Sequence, residues 1–233
     1  RYYLDRLREA YPVVPHGVSM SLGSEEHPEH TARLLRLVNE VDPPWFSDHV
    51  CLTRAGGVDS HDLLPVPYTR GVLAHMVDRI KAVQDRFGRL LAVENPSSYL
   101  SWRASELPEA EFIAELVERA DCALLLDVNN VFVSSVNHGF DPIQWLDTVP
   151  ADRVVQMHLA GHAIRPEGYR LDTHDAPVCE EVWALFAHAA RRCGPVSVLV
   201  EWDGQIPAWE RLAEEAARAP AARALALGGP LVA

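Results

Sequence analysis

The 233 residues contain no Cys-x-x-Cys pair; the four cysteines, Cys51, Cys122, Cys179 and Cys193, stand singly. That spacing indicates neither a zinc ribbon nor a disulfide framework. No apolar run approaches the roughly 20 residues a bilayer requires, and no secretory signal is visible. The expectation is a cytoplasmic protein with no membrane role. Basic charge is also scarce, with 21 Lys and Arg against 33 Asp and Glu and a net charge of −12. A large phosphate-tracking surface is therefore not expected, and no nucleic-acid partner with it. A small site made positive by metal ions remains compatible with this balance. No Gly-x-Gly-x-x-Gly follows a strand, which weakens a dinucleotide reading. Ser97-Ser98 lacks the Gly-x-Ser-x-Gly context of a nucleophile elbow.

What is present is ordinary globular composition, 48% hydrophobic and 23% charged, at a length suited to one α/β barrel. Apolar segments at 13–21, 45–53, 90–94, 123–127, 153–159 and 196–201 read as strands. Helical spacing is expected at 2–10, 29–41, 69–87, 106–120, 142–148, 178–192 and 207–219. A loop over 55–67 is long enough to serve an active site. This alternation implies βα units and a parallel sheet. Polar residues at nearly every strand end favour a barrel over an open sheet, because barrels keep function on that face. The expected domain is one (β/α) barrel over 1–219, with a weakly specified tail at 220–233.

The strand-end residues carry the chemistry. His16, His49, Glu94, Asp127, His158 and Glu201 each lie at or near the end of a different expected strand, and Asp172 and His174 follow the fifth. Asn130 stands three residues after Asp127 in Leu-Leu-Leu-Asp-Val-Asn-Asn-Val, 124–131. Read alone, Asp127 and Asn130 are equally well a helix cap and a turn residue. Taken together, imidazoles mixed with carboxylates suit Zn, Fe or Mn, not calcium. Nine ligands exceed what one ion takes, so two or three metals are expected, with a carboxylate such as Glu94 bridging. His138, His162 and Trp202 are expected beside substrate or behind a ligand. His27, His30, His61, His75 and His188 read as solvated.

Several runs together resemble a known family. They are His16-Gly-Val-Ser19, Ser47-Asp-His49, Glu94-Asn-Pro-Ser-Ser-Tyr99, and Leu126-Asp-Val-Asn-Asn-Val131 with Asn137 and Gly139 beyond it. With them stand His158-Leu-Ala-Gly-His162, Asp172-x-His174-Asp175 and Glu201-Trp-Asp203. The family is DUF692, multinuclear non-haem iron-dependent oxidative enzymes related to the one that modifies cysteines in methanobactin biosynthesis. The likeness spans about residues 2–218. It implies a TIM (β/α)8-type barrel holding two or three irons. His16, His49, Glu94, Asp127, Asn130, His158, Asp172, His174 and Glu201 would fill the ligand positions, with Asp127, Asn130 and His174 catalytic. The implied substrate is a cysteine of a ribosomally synthesised precursor peptide, the oxidant is dioxygen, and a partner protein grips the leader segment. Substrate thiolate would be a soft iron ligand, and hydrogen would be taken from the cysteine β-carbon.

Family members usually begin with two strands ahead of the helix at 2–10, so the first two barrel strands are expected to be missing from this chain. An open barrel would expose sheet edges, and further N-terminal sequence or a partner chain is expected to cover them. A trinuclear zinc phosphodiesterase of the endonuclease IV type, or a xylose-isomerase-like barrel, is the competing enzyme reading. Those barrels resemble this one in ligand order but typically carry histidine where Asn130 stands. A non-catalytic scaffold that binds peptide at the barrel mouth is the third reading.

Overall fold

The computed structural model describes residues 2–228, and the chain divides into two compact units. The first runs to Pro96 and includes Trp102–Ala123; the second comprises Ser97–Ser101 and the chain from Leu124 onward. Among the described residues no helix is long and apolar enough to cross a membrane.

The first unit contains α1 (Tyr2–Ala10), α2 (Pro28–Val41), β1 (Trp45–His49), β2 (Cys51–Ala55), β3 (Val58–Pro65), α3 (Arg70–Phe87), β4 (Leu90–Glu94) and α4 (Glu109–Ala120). β1 and β4 pair in parallel, a register that sets His49 opposite Glu94. Thr69 caps α3 by accepting the Val72 N–H, and Gly88 ends it in the left-handed conformation, as capping chemistry favours. Phe46 of β1 stacks on Phe87 at the end of α3, with centroids 4.8 Å apart. Leu73, Met76 and Ile80 of α3 and Phe112, Ile113 and Leu116 of α4 are buried where these helices pack.

The second unit contains β5 (Ala123–Asp127), α5 (Val128–His138), α6 (Pro142–Thr148), β6 (Val154–Ala160), β7 (Ala163–Ile164), β8 (Arg170–Leu171), α7 (Glu180–Cys193), β9 (Ser197–Glu201) and α8 (Trp209–Ala226). β5, β6 and β9 run parallel, with Asp127 opposite His158 and Ala160 opposite Glu201. β5 is buried along its whole length, the pattern of a parallel strand covered on both faces.

Five expectations are corrected. Segment 13–21 is no strand: it makes one parallel bridge, His16 to Ser47, through Gly17 N–H to Ser47 O (2.7 Å) and Ser47 N–H to Pro15 O (3.1 Å). Pro12 and Pro15 remove the donors that a longer ladder would need. The strand expected at 45–53 breaks at Val50, and the loop expected at 55–67 is the hairpin β2–β3. Gly56 and Gly57 both take positive φ at its tip, a common requirement of two-residue hairpin turns. Residues 128–138, where no helix is expected, form α5 with seven buried positions. The last helix continues through Pro220 to Ala226, anchored by Arg223 donating to Val196 O (2.8 Å), so the first half of the expected tail is helical; residues 229–233 lie outside the described region.

Gly161, just past β6, is a point of close backbone approach. A Cβ there would fall 1.9 Å from Ala176 O and 2.8 Å from Pro177 O. The absent side chain lets the His174 N–H reach Gly161 O at 3.1 Å. Gly161→Ala is expected to cost about 1–3 kcal/mol by overpacking, measured by urea unfolding with an unchanged m-value; stability equal to wild type would show that the loop shifts freely.

Candidate metal centre

In the first unit, His16, His49 and Glu94 converge. Each offers a ligand atom within 4.8 Å of the others. The Nε2 atoms of both histidines lie 3.3 Å from the same Glu94 Oε2. Their other nitrogens are held: His16 Nδ1 is 2.8 Å from Ser47 Oγ, and His49 Nδ1 is 3.2 Å from the Gly17 carbonyl. A carbonyl only accepts, so His49 Nδ1 carries the proton and a neutral ring leaves its Nε2 lone pair facing Glu94.

The separation itself discriminates. Charge-assisted N–H···O bonds run about 2.7–2.9 Å, shorter than these contacts. Two donors on one first-row metal, each about 2.1 Å away, sit about 3.0–3.4 Å apart. The 3.3 Å spacing therefore fits three donors around one cation. Asp48, fully buried between the ligand residues, accepts from the His49 N–H (2.8 Å) and Met20 N–H (3.2 Å) and so ties the His16 segment to β1. Burial raises its pKa, with His49 and the two N–H donors pulling the other way. A Cβ on Gly17 would lie 2.4 Å from Asp48 Oδ2, so only glycine fits between them.

The second unit builds another cluster. Asp127, His158 and Glu201 each bring a ligand atom within 4.8 Å of the others, and His174, Glu201 and Asp203 do the same. Glu201 Oε2 lies 3.3 Å from His158 Nδ1 and 3.4 Å from His174 Nδ1. His174 Nε2 contacts Asp172 Oδ1 at 2.7 Å, and its Nδ1 is 3.1 Å from Asp203 Oδ2. Asp127 works twice: its Oδ1 caps α5 by accepting the Asn130 N–H at 2.6 Å, and the residue also brings a ligand atom to the cluster. Asn130 stands in the first turn of α5 with its amide oxygen buried.

Of the flanking residues, His138 is engaged by Ser98, its Nε2 lying 2.8 Å from Oγ and 3.1 Å from the carbonyl. His162 Nδ1 meets Asn129 Oδ1 at 2.9 Å, and its pKa is lowered by burial and by Arg170. Trp202 has a buried indole N–H with no hydrogen-bond partner among the described residues. Sequence reasoning passed over Ser47, Asp48, Asn129 and Asp203 as functional positions. All four stand within two residues of an expected ligand, and a polar side chain next to a ligand was the available signal.

His174 is tuned. Burial lowers its pKa, but the hydrogen bond and charge of Asp172, with Asp127 and Glu201 behind it, push it to about 10. In metal-free protein the protonated ring stabilises the fold fully below its ordinary value of 6.5, and that contribution is lost as pH rises through about 10. A metal here must displace that proton.

Over most of its length the chain has the fold of TIM-barrel sugar epimerases. It is similar to D-psicose 3-epimerase solved with D-fructose, at TM-score 0.60 and 17% identity, covering 98% of this chain and 84% of that one. L-ribulose 3-epimerase matches at TM-score 0.57 and 14% identity, with 97% and 79% covered. The barrel class expected from the sequence is thus the observed one. The model of the RiPP precursor modification enzyme family MbnB/TglH/ChrH matches residues 1–224, and the chain belongs to that family. Among its relatives, a UPF0276 protein of Anaeromyxobacter sp. (strain Fw109-5) is 49% identical over 226 residues, 96% of this chain and 80% of that protein. Another from Caulobacter vibrioides is 48% identical over 216 residues, covering 92% and 77%.

Metal loading at pH 7 is expected to release a proton from His174, and affinity at this cluster to fall about tenfold per unit of pH below 10. Calorimetry in buffers of different protonation enthalpy measures the release, and His174→Gln should abolish it; equal release from both proteins would contradict the assignment.

Proposed function

We propose that this protein is an iron- and dioxygen-dependent oxidoreductase that modifies a cysteine of a ribosomally synthesised precursor peptide, in the cytoplasm, with a partner protein holding the leader segment. The observation that carries the reading is the pair of imidazole Nε2 atoms 3.3 Å from one buried Glu94 oxygen, in a chain of the RiPP precursor modification family. Two or three irons are held by His16, His49, Glu94, Asp127, Asn130, His158, Asp172, His174 and Glu201. Asp127, Asn130 and His174 bear on the reaction most directly, and all nine residues belong to a single barrel domain over 1–219.

Bound iron supplies the redox chemistry with dioxygen, and the protein supplies placement. Ser47 and the Gly17 carbonyl fix the ring orientation of His16 and His49, so the ligand nitrogens face one point without reorganisation. Asp127 presents one oxygen because the other is spent on α5. Asn130 is a neutral amide, a weaker donor than imidazole, and leaves its metal more open to thiolate or dioxygen than a histidine would.

The test is anaerobic iron reconstitution, then mass spectrometry of a cysteine-bearing candidate peptide with and without oxygen. An oxygen-dependent mass change on cysteine is expected. Tightly held zinc with phosphodiesterase activity, or peptide binding with no metal at all, would replace this reading. Asn130→His is expected to tighten metal binding and slow oxidation; an unchanged oxidation rate would count against the role given to Asn130.

A further inference from the structure

Asn129, beside Asn130 on the first turn of α5, is fully buried. Its Nδ2 donates to Asp172 Oδ1 at 2.7 Å, and its Oδ1 lies 2.9 Å from His162 Nδ1. The orientation of this amide is dictated by chemistry. Asp172 has no proton to give as a carboxylate, so the amide nitrogen must face it; the amide oxygen then faces His162, whose Nδ1 must carry hydrogen. The run is therefore directional: His162 Nδ1–H to Asn129, Asn129 N–H to Asp172, and Asp172 to His174 Nε2 at 2.7 Å. Asp172 is also gripped from its backbone, whose N–H donates to the Tyr99 hydroxyl at 2.9 Å.

We infer that Asn129, oriented by His162, is a positioning residue that aims the Asp172 carboxylate at His174 and so sets metal occupancy of the cluster in the second unit. This rests on the metal-binding reading above. Asp172 enters from the segment after β8, a two-residue strand, and short strands give little rigidity of their own. Asn129 stands on a helix capped by Asp127, itself one of the cluster. The hydrogen bond from Asn129 thus transfers the rigidity of α5 to a ligand on a loop, as outer partners of metal ligands do. His162 completes the device: without its N–H the amide could rotate and present oxygen to the carboxylate. A plain space-filling role for Asn129 would depend on its volume alone.

That difference makes the inference testable on the iron-loaded protein. Asn129→Asp keeps the shape and the acceptor for His162 but deletes the donor and sets two carboxylates together. It is expected to weaken metal binding at this cluster about 10–100-fold, lowering iron per chain without emptying the His16, His49 and Glu94 site. Iron content, chelator competition and the Mössbauer spectrum read this directly. His162→Gln, which retains an N–H donor, should keep near-normal iron content, whereas His162→Leu should lose it. Circular dichroism confirms folding of each; should Asn129→Asp not fold, the His162 pair decides alone. A wild type that takes up no metal sinks the reading of the site and this inference together. A wild type that loads iron, with Asn129→Asp equal to it or with His162→Gln and His162→Leu alike, overturns this inference only.

Discussion

Everything in the first unit's site follows from burying one carboxylate. Glu94 is 1% exposed, and a carboxylate removed from water costs several kcal/mol unless positive charge compensates. Two imidazoles have nitrogens 3.3 Å from the same oxygen. With the His49 Nδ1 proton committed to the Gly17 carbonyl, a neutral ring turns its Nε2 lone pair toward the Glu94 carboxylate. A cation there would turn the His49–Glu94 repulsion into attraction. The parallel register of β1 and β4 creates the juxtaposition by placing His49 opposite Glu94, and the proline-interrupted segment before β1 contributes His16 through a single bridge.

The second unit meets the same electrostatic demand with shared duties. Asp127 ends a fully buried strand and starts a helix, so one carboxylate serves both as N-cap and as a member of the cluster. This coupling works against independent adjustment: a side chain there must satisfy α5 and the cluster at once. Of the two sequence readings of Asp127, the cap is the one observed, made through Oδ1. Asp203 adds a carboxylate that the nine expected ligands did not include, against the second nitrogen of His174.

The legible parts of the fold were those where local pattern and burial agree. Strands β4 and β5 lie where their apolar runs put them, and helices α3 and α6 begin and end near their Thr, Pro and Gly signals. α5 was not legible because Val, Asn and Ser are indifferent helix formers, and tertiary burial of one face holds the helix in place. The hairpin β2–β3 was hidden by polar residues: β3 begins with five exposed positions, and only the Gly-Gly pair betrays the turn. For the site, strand-end position identified which residues meet, but no spacing rule could disclose that Asp48 and Asn129 brace them. Such braces are chosen by distance in space, and the bond from Asn129 to Asp172 spans 43 residues.

His174 shows why local rules fail where chemistry is placed. Its backbone sits at φ 47°, a left-handed conformation that costs a non-glycine residue roughly 1 kcal/mol or more. Three backbone bonds hold it there: its N–H to Gly161 O, and its carbonyl accepting from Asp203 and Gly204. The imidazole is thereby presented with one nitrogen on Asp172 and the other toward Glu201 and Asp203. Glycine would relax the backbone and remove the imidazole that contacts Asp172, Glu201 and Asp203. The loop is therefore built in its strained form by the strand ends around it, and the proton that Asp172 keeps on His174 holds the ring in place; a metal bound there would have to displace it.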